Sequence, residues 1–293
     1  MKRRPFARFI RKFMKWDLFQ WVTTIGLSLF GLFMLLPVFF IFSQAFKPIS
    51  ELFAYPPKFY VIHPTLFNFQ QLMQQSQTAV VPFTRYLFNS LLTTSATVAG
   101  VVVISAMAAY AFSKIKFPGS NALNALIIVS LMFAPESVGI PRYLVITHLG
   151  IMDTYWAHIL PLLAMPVGVF LLKQFVDQVP NELIEATKID GGREFTVFFR
   201  IIMPMCLPAT ATVAILAFQA SWAQTESSSL FVTVESLKTL PYYVATLTNG
   251  TANNVVGMGI AAAASLIIFV PNILFFLLSQ RRIMQTMAHS GIK

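Results

Sequence analysis

The residue types that most often carry catalysis or metal binding are few in this sequence and stand far apart. The chain has a single cysteine, Cys206, which excludes an internal disulfide, and no Cys/His spacing typical of a metal site occurs. It also lacks the G-x-x-x-x-G-K-S/T loop that cradles nucleotide phosphates, so ATP hydrolysis by that chemistry is not predicted. Surface or packing roles are predicted for the four histidines, His63, His148, His158 and His289.

The most suggestive spacing of residue types lies in residues 178–208, which read QVPNELIEATKIDGGREFTVFFRIIMPMCLP. Pro180 and Asn181 favour a helix start, and acids follow in the first turns, where the helix dipole favours them. Asp190-Gly191-Gly192 predicts the helix end, because glycine adopts the left-handed conformation at little steric cost. We therefore predict a short helix over 181–189 and a second helix that begins near Arg193 and runs into the next apolar stretch.

The predicted short helix has one apolar side. Leu183, Ala186 and Ile189 recur at a spacing of three, with Ile184 beside them. A short amphipathic helix of this kind can lie on a membrane surface. It can also dock in a groove of a partner protein. The composition of the segment leaves both alternatives open.

The composition of the whole chain predicts a protein that is solvated by lipid. Of its 293 residues 56% are hydrophobic and only 11% are charged, with a mean hydropathy of +0.69. Soluble domains carry about 25% charged residues. The net charge of +10 does not predict nucleic-acid binding, because the basic residues stand in short clusters between long apolar runs and form no solvated face.

Charge-free apolar runs predict an all-α membrane protein with six transmembrane helices, since a spanning helix needs about 20 apolar residues. The third run is the shortest, and Pro135 and Pro141 interrupt its end. The first run is too long for the apolar core of a signal peptide and is predicted to be an anchor. The predicted spans are Trp21–Phe46, Tyr86–Ser113, Asn121–Ala134, Thr154–Leu172, Ile201–Thr225 and Val255–Ser279.

The basic residues predict the orientation, because they stay on the cytoplasmic side of a membrane. With both termini inside, 16 of the 21 Lys and Arg residues are cytoplasmic. The predicted organisation is a basic cytoplasmic tail over 1–20, a six-span domain over 21–280 and a cytoplasmic tail over 281–293. The loop over 178–204 is then also cytoplasmic.

This loop resembles a known family. The arrangement Glu185-Ala186-x-x-x-Asp190-Gly191, followed by Phe198, Ile201 and Pro204, resembles the E-A-A-x-x-x-G loop of bacterial ABC importer permeases. Two positions depart from that pattern: Thr187 stands where a second alanine is usual, and Gly192 where alanine follows the glycine.

Other stretches are similar to the carbohydrate-uptake, maltose-permease-like group of that family. They include Ala108–Ser113 and Ile140–Tyr143. One stretch departs, since Trp222-Ala223-Gln224 occupies the place where Trp-Asn is expected.

The resemblance implies a type I ABC importer permease fold and a larger transport complex. Its other members would be a second, distinct permease subunit, two cytoplasmic ATPase subunits that bind ATP and Mg²⁺, and an extracellular solute-binding protein that delivers a sugar. No cofactor and no enzyme activity are expected in this chain itself. The residues implied in coupling to the ATPase are Glu182, Leu183, Glu185, Ala186, Ile189, Asp190 and Gly191.

Polar residues within spans usually face other helices. Three are nevertheless predicted to line the solute path, because amides and aromatic faces suit sugars: Asn89, Gln219 and Trp222. The alternative functions are an ABC importer permease for a non-sugar solute (an amino acid, a peptide or phosphate), an ion-coupled secondary transporter and a membrane enzyme. The last two are disfavoured, because the span interiors carry almost no charge and the candidate catalytic residues do not cluster.

Overall fold

The computed structural model describes residues 17–290 except 57, 79–80 and 252–254. Residues 1–16 of the predicted amino-terminal tail and 291–293 of the predicted carboxy-terminal tail lie outside this range. All regular structure in the described residues is helical, which confirms the predicted class. The α-helices are α1 Leu18–Phe46, α2 Ile49–Leu52, α3 Phe67–Thr78, α4 Phe83–Lys114, α5 Ser120–Ser130, α6 Gly139–His148, α7 Trp156–Leu163, α8 Pro166–Asp177, α9 Asn181–Ile189, α10 Glu194–Val197, α11 Met203–Met205, α12 Leu207–Trp222, α13 Glu226–Leu230, α14 Leu240–Thr251 and α15 Val255–Ser290.

Three of the six predicted spans have an unbroken counterpart of sufficient length and hydrophobicity, and two more do if each bent helix pair counts as one span. Three are unbroken helices: α1, α4 and the Gly257–Gln280 part of α15, with 29, 32 and 24 residues. Two are bent pairs. Helices α7 and α8 meet at 45°, and the helical stretch Glu194–Met205 meets Leu207–Leu230 at 82°. A proline stands at the start of each second segment, where it removes a backbone donor and so favours a break in the helix.

The third predicted span is too short to cross a membrane alone. It corresponds to α5, which has 11 residues, and at 1.5 Å per residue such a helix spans roughly 16 Å of a hydrocarbon core of about 30 Å. A turn and the 3₁₀ segment Pro135–Val138 follow it before α6 begins. The helix therefore ends inside the predicted span, and Pro135 begins the 3₁₀ segment that follows it.

The second helix predicted from Arg193 onward is also not continuous, so that prediction is wrong in part. Helix α10 passes into a π-helical stretch, Phe198–Ile202, and the chain turns sharply at Cys206 before α12 begins. The additional residue per turn of a π-helix and the nearby Pro204 and Pro208 disturb the regular ladder of backbone hydrogen bonds.

Helix α4 lies at the centre of the bundle. It packs against α7, α8 and α12, and Val101, Leu172 and Val213 between them are fully buried. By contrast, the most apolar stretch of α1 contains no buried residue. An apolar surface of this kind is expected where lipid is the solvent. The bundle therefore has a packed centre and apolar outer helices.

Candidate functional site

Helix α9, Asn181–Ile189, has the bounds that the sequence predicted. Pro180 precedes it in an extended conformation, Glu182 lies in its first turn and Lys188 in its last. Gly191 then adopts a φ of +84°, and its N–H donates to the carbonyl of Lys188 at 3.1 Å. Local residue preferences at both ends therefore define this helix.

The two faces of α9 have different surroundings. Ile184 is 7% exposed and belongs to the core of the bundle. Leu183 is 42% exposed and Ile189 is 86% exposed, and Ala186 between them is also exposed. The single predicted stripe is thus divided, because Ile184 attaches the helix while the other three residues face outward. The carboxylates of Glu182 and Glu185 are on exposed residues of the same helix.

The two departures from the family pattern contact each other. A Cβ at Gly192 would lie 2.7 Å from both the backbone oxygen and the methyl group of Thr187. The Gly192 N–H donates to that same Thr187 oxygen at 2.8 Å. A residue larger than glycine would therefore push the loop away from the end of α9.

The entry to α9 is attached to the carboxyl end of α4. Lys114 Nζ donates to the carbonyl oxygen of Val179 at 2.7 Å and to Asn181 Oδ1 at 3.0 Å. Ser113 Oγ donates to Asp177 Oδ1 at 2.6 Å. Two consecutive side chains of α4 thus fix the turn from which α9 starts.

The exit from α9 is attached to α4 as well. The Tyr110 hydroxyl donates to Glu194 Oε2 at 2.5 Å, while Lys188 Nζ lies 2.5 Å from the other carboxylate oxygen of Glu194. The ring of Tyr110 also packs against Phe198, with 6.0 Å between the ring centroids. We call Tyr110, Ser113 and Lys114 the latch. Because the latch binds both sides of the loop, α9 is held to the end of α4.

A cleft of about 830 Å³ opens beside α9. One wall is the turn after α4, residues 112–122, and the other is formed by Asn181, Ile184, Glu185 and Lys188. The exposed face of α9 and this cleft together form a surface that no other described part of the chain covers.

The opposite end of α4 holds a second ordered segment, residues 231–240, which we call the strap. Asp153 Oδ1 accepts the backbone N–H of Thr233 at 2.5 Å and that of Val234 at 3.1 Å. The Thr233 hydroxyl donates to the same carboxylate at 2.8 Å. These bonds, first that from Val234, hold the pKa of Asp153 below its ordinary value. Asp153 adopts a φ of +57°, which is uncommon outside glycine.

The strap is also bonded to α4 directly. Asn89 Nδ2 donates to the carbonyl oxygens of Ser236 at 2.9 Å and Lys238 at 2.8 Å, and Asn89 is fully buried. Ser90 Oγ accepts the N–H of Leu240 at 2.8 Å. These side chains satisfy backbone groups of a segment with little regular structure of its own.

The carboxylate of Glu235 adds a further attachment of the strap to α4. The Tyr86 hydroxyl donates to Glu235 Oε1 at 2.8 Å, and Lys238 Nζ lies 2.7 Å from Glu235 Oε2. Burial alone would raise the pKa of Glu235, but these two partners hold it below its ordinary value. The Tyr155 hydroxyl donates to Asn89 Oδ1 at 2.8 Å, so both ends of that amide are bonded.

The three residues predicted to line a solute path differ in their exposure. Asn89 and Trp222 have no exposed surface, and the Trp222 indole donates to the carbonyl oxygen of Ile268 at 2.9 Å and stacks on Phe218. Gln219 is exposed. Of these three residues, Gln219 alone has an exposed side chain, whereas Asn89 is bonded to the strap. Their role in a solute path stays a prediction.

The sequence did not single out the latch or Asp153. Lys114 was interpreted only as a charge that ends a span, and Tyr110 and Ser113 only as part of a family-like stretch. The partners of these residues lie 64 to 84 positions away along the chain. Within the described ranges, no group of three or more His, Cys, Asp or Glu residues could hold a metal ion.

Comparison with known proteins matches the chain to one family over most of its length. Residues 100–284 match the family described as "Binding-protein-dependent transport system inner membrane component". The chain is 30% identical to the inner membrane ABC transporter permease protein YcjP of Escherichia coli (strain K12), over 92% of this chain and 94% of that protein. It is 30% identical to the trehalose transport system permease protein SugB of Mycobacterium tuberculosis (strain CDC 1551 / Oshkosh), over 88% and 92%.

A third relative is the arabinooligosaccharides transport system permease protein AraQ of Halalkalibacterium halodurans, which is 27% identical over 94% of this chain and 96% of that protein. Among solved structures, the fold matches a chain of a bacterial ABC transporter involved in the import of the acidic polysaccharide alginate. The TM-score is 0.78 at 18% identity, with coverage of 90% of this chain and 96% of that chain.

Proposed function

The chain belongs to the family of binding-protein-dependent transport system inner membrane components, the multi-pass ABC transporter permeases of the bacterial plasma membrane, and from this premise we propose that it forms the path of a sugar or oligosaccharide importer. The observation that carries the proposal is the outward face of α9, because Leu183 and Ile189 expose apolar surface beside exposed carboxylates. Relatives whose names specify trehalose and arabino-oligosaccharides support a sugar as the transported solute.

In this proposal α9 is the helix that receives motion from an ATPase. Leu183, Ala186 and Ile189 enter an apolar groove of the ATPase, and Glu182 and Glu185 make charged or polar contacts at its rim. Gly191, next to Asp190, allows the two backbones to approach closely. Nothing within 4 Å would meet a Cβ at Gly191, so this space is open to a partner.

The complex around this chain consists of a second permease subunit, two cytoplasmic ATPase subunits that bind ATP and Mg²⁺, and an extracellular solute-binding protein. The distribution of basic residues supports an orientation with both termini inside, so that α9 is cytoplasmic and the strap is external. The domain over 21–280 then alternates access to a central cavity between the two permease subunits. Gln219 contacts the solute there, and Asn89 and Trp222 support the path from behind.

The test is reconstitution of the permease in lipid vesicles with the ATPase and the binding protein with which it co-purifies. We expect ATP-dependent uptake of a labelled sugar or oligosaccharide, such as trehalose or an arabino-oligosaccharide. Uptake of a labelled amino acid, peptide or phosphate in place of every sugar would instead establish the alternative, an importer for a non-sugar solute.

A variant of α9 tests the proposed docking separately. Burying one large aliphatic side chain stabilises a contact by about 1.5–3 kcal/mol, so Ile189→Glu should weaken co-purification of the ATPase at least roughly tenfold. Ile189→Leu keeps the apolar area and is the matched control, which should retain the ATPase. Equal recovery of the ATPase with both variants would show that α9 is not the docking helix.

A further inference from the structure

Helix α4 differs from the other unbroken spans among the described residues. Helix α1 contains Pro37 and α15 contains Pro271, whereas α4 contains no proline. Its 32 residues correspond to a length of roughly 48 Å at 1.5 Å per residue. A third of its most apolar stretch is buried, more than in the other two spans. A helix without internal proline lacks the commonest cause of a sharp kink.

Both ends of α4 carry polar side chains that bind neighbouring segments. At the carboxyl end the latch holds the two sides of the loop that contains α9, through Asp177, Val179, Asn181 and Glu194. At the amino end Tyr86, Asn89 and Ser90 hold the strap at Glu235, Ser236, Lys238 and Leu240. The same helix therefore grips α9 at one end and the strap at the other.

The hydrogen bonds and ion pairs at the two ends attach α4 firmly to its neighbouring segments. Several engage an ionised partner, and hydrogen bonds to charged groups contribute about twice as much as neutral ones. Asn89 and Ser90 at the strap are buried, so breaking one of their bonds leaves a polar group without water. Between the two ends Thr97, Ser105 and Ala109 are fully buried, and α4 packs against α7, α8 and α12.

We propose that α4 is a strut that makes α9 and the strap move together, with the latch as the set of positioning residues at one end and Tyr86, Asn89 and Ser90 at the other. The inference rests on the proposed function, in which the ATPase moves α9 and the binding protein acts from the side of the strap. Coupling between two sites is reciprocal in binding. A loaded binding protein that favours one position of the strap therefore also favours the matching position of α9, and the ATPase rate is the readout of that shift.

The experiment measures the complete transport complex in lipid vesicles. For each variant the ratio of ATPase rates with and without the loaded binding protein is determined, together with the solute imported per ATP hydrolysed. Tyr110→Phe removes one hydroxyl and keeps the ring against Phe198, and Ser90→Ala removes one acceptor. Each should lower the stimulation ratio roughly fivefold, the effect expected for the loss of one hydrogen bond from the coupling.

A variant with both substitutions distinguishes coupling through α4 from a local effect at each end. Residues 90 and 110 are 20 positions apart on one helix, about 30 Å at 1.5 Å per residue, so they have no direct contact. If both act through one strut, Tyr110→Phe with Ser90→Ala lowers the ratio no further than one single change does. Additive losses would overturn the proposal, as would an unchanged ratio in the single variants.

The matched control uses the same helix. Ser95→Ala changes an exposed serine of α4 that belongs to neither attached end. It should keep the wild-type ratio, whereas Lys114→Met should lower it and Lys114→Arg, which keeps a donor, should restore most of it. Equal ratios for Lys114→Met and Ser95→Ala would overturn the role of the latch. A wild-type complex without uptake would instead refute the proposed function.

Discussion

The two ends of α4 hold segments of opposite character. At the carboxyl end α9 exposes 86% of Ile189 and 42% of Leu183, and its own end is formed by bonds within a few residues. At the amino end both termini of the strap are buried, and its bonds join residues up to 150 positions apart. The first segment leaves an apolar face for another chain to cover, whereas the second already has its partners.

This difference has energetic consequences. A side chain as exposed as that of Ile189 contributes little to the stability of the chain itself, so its replacement should affect assembly and not folding. A buried polar contact of the strap behaves in the opposite way, because removal of one partner leaves the other unsatisfied at a cost of about 1–3 kcal/mol. Variants at the α9 end should therefore reduce assembly with partners, whereas variants at the strap should lower the stability of the chain.

The largest effect is expected for Gly191→Asp at the α9 end. The new side chain meets no atom of this chain within 4 Å, so the protein should insert into the membrane in normal amount. The carboxylate would stand on the surface proposed to meet the ATPase, and a φ of +84° adds strain for any residue with a Cβ. Uptake of labelled sugar should be abolished, while immunoblots of membranes show wild-type levels of the permease.

Gly150→Asp is the matched control for that variant, because Gly150 also has a positive φ, of +65°, and open space at its Cβ. It lies on the loop between α6 and α7, away from α9. If Gly150→Asp retains uptake, the loss at Gly191 is due to the docking surface. If it abolishes uptake equally, backbone strain is the cause and the contrast between the two ends is wrong.

The sequence predicts the α9 end far better than the strap, for a physical reason. Pro180 and Gly191 act on residues next to them, so the bounds Asn181–Ile189 follow from local preferences. Asp153 acts on Thr233, 80 residues away, and no local pattern indicates that contact. Asn89 is predicted to face a solute because amides suit sugars, but the pattern does not reveal that its amide bonds to the strap.

The spans show the same limit. Charge-free runs predict where apolar helices lie, and five of them have counterparts, but they do not predict how straight each helix is. The 82° bend after Cys206 lies next to Pro208, but the sequence alone does not predict that angle. The prolines at the end of the third run were visible in the sequence, and α5 indeed ends before Pro135. Proline indicates a break more reliably than it indicates an angle.

A smaller effect, on stability and not on assembly, is expected for Asp153→Asn at the strap. The pKa of Asp153 is lowered in the folded chain, so its ionised form stabilises the fold above the ordinary carboxylate range, and this contribution is lost as the pH falls through the lowered pKa. Asparagine keeps the shape and tolerates the left-handed backbone. The variant should melt a few degrees below wild type at neutral pH, and the difference should shrink on acidification. Asp190→Asn, an exposed carboxylate at the α9 end, is the control and should leave the Tm unchanged throughout.

The smallest effect is expected for Lys188→Gln. Lys188 and Glu194 form an ion pair whose side chains are 48% and 50% exposed, and solvent and salt reduce such pairs to about 0–1 kcal/mol. Glu194 also keeps its bond from the Tyr110 hydroxyl. The Tm in detergent should therefore change by less than about 2 °C.

Lys238→Gln at the strap is the comparison for the small change in Tm expected at Lys188. The Lys238 side chain is only 11% exposed, and its loss removes a partner of Glu235 and of the Tyr242 hydroxyl together. The same chemical change should thus lower the Tm more at the strap than at α9, with a smaller dependence on salt because the pair is less accessible to ions. Equal changes in Tm at the two positions would mean that the difference in burial between Lys238 and Lys188 has no energetic consequence. The contrast between the two ends of α4 would then be wrong.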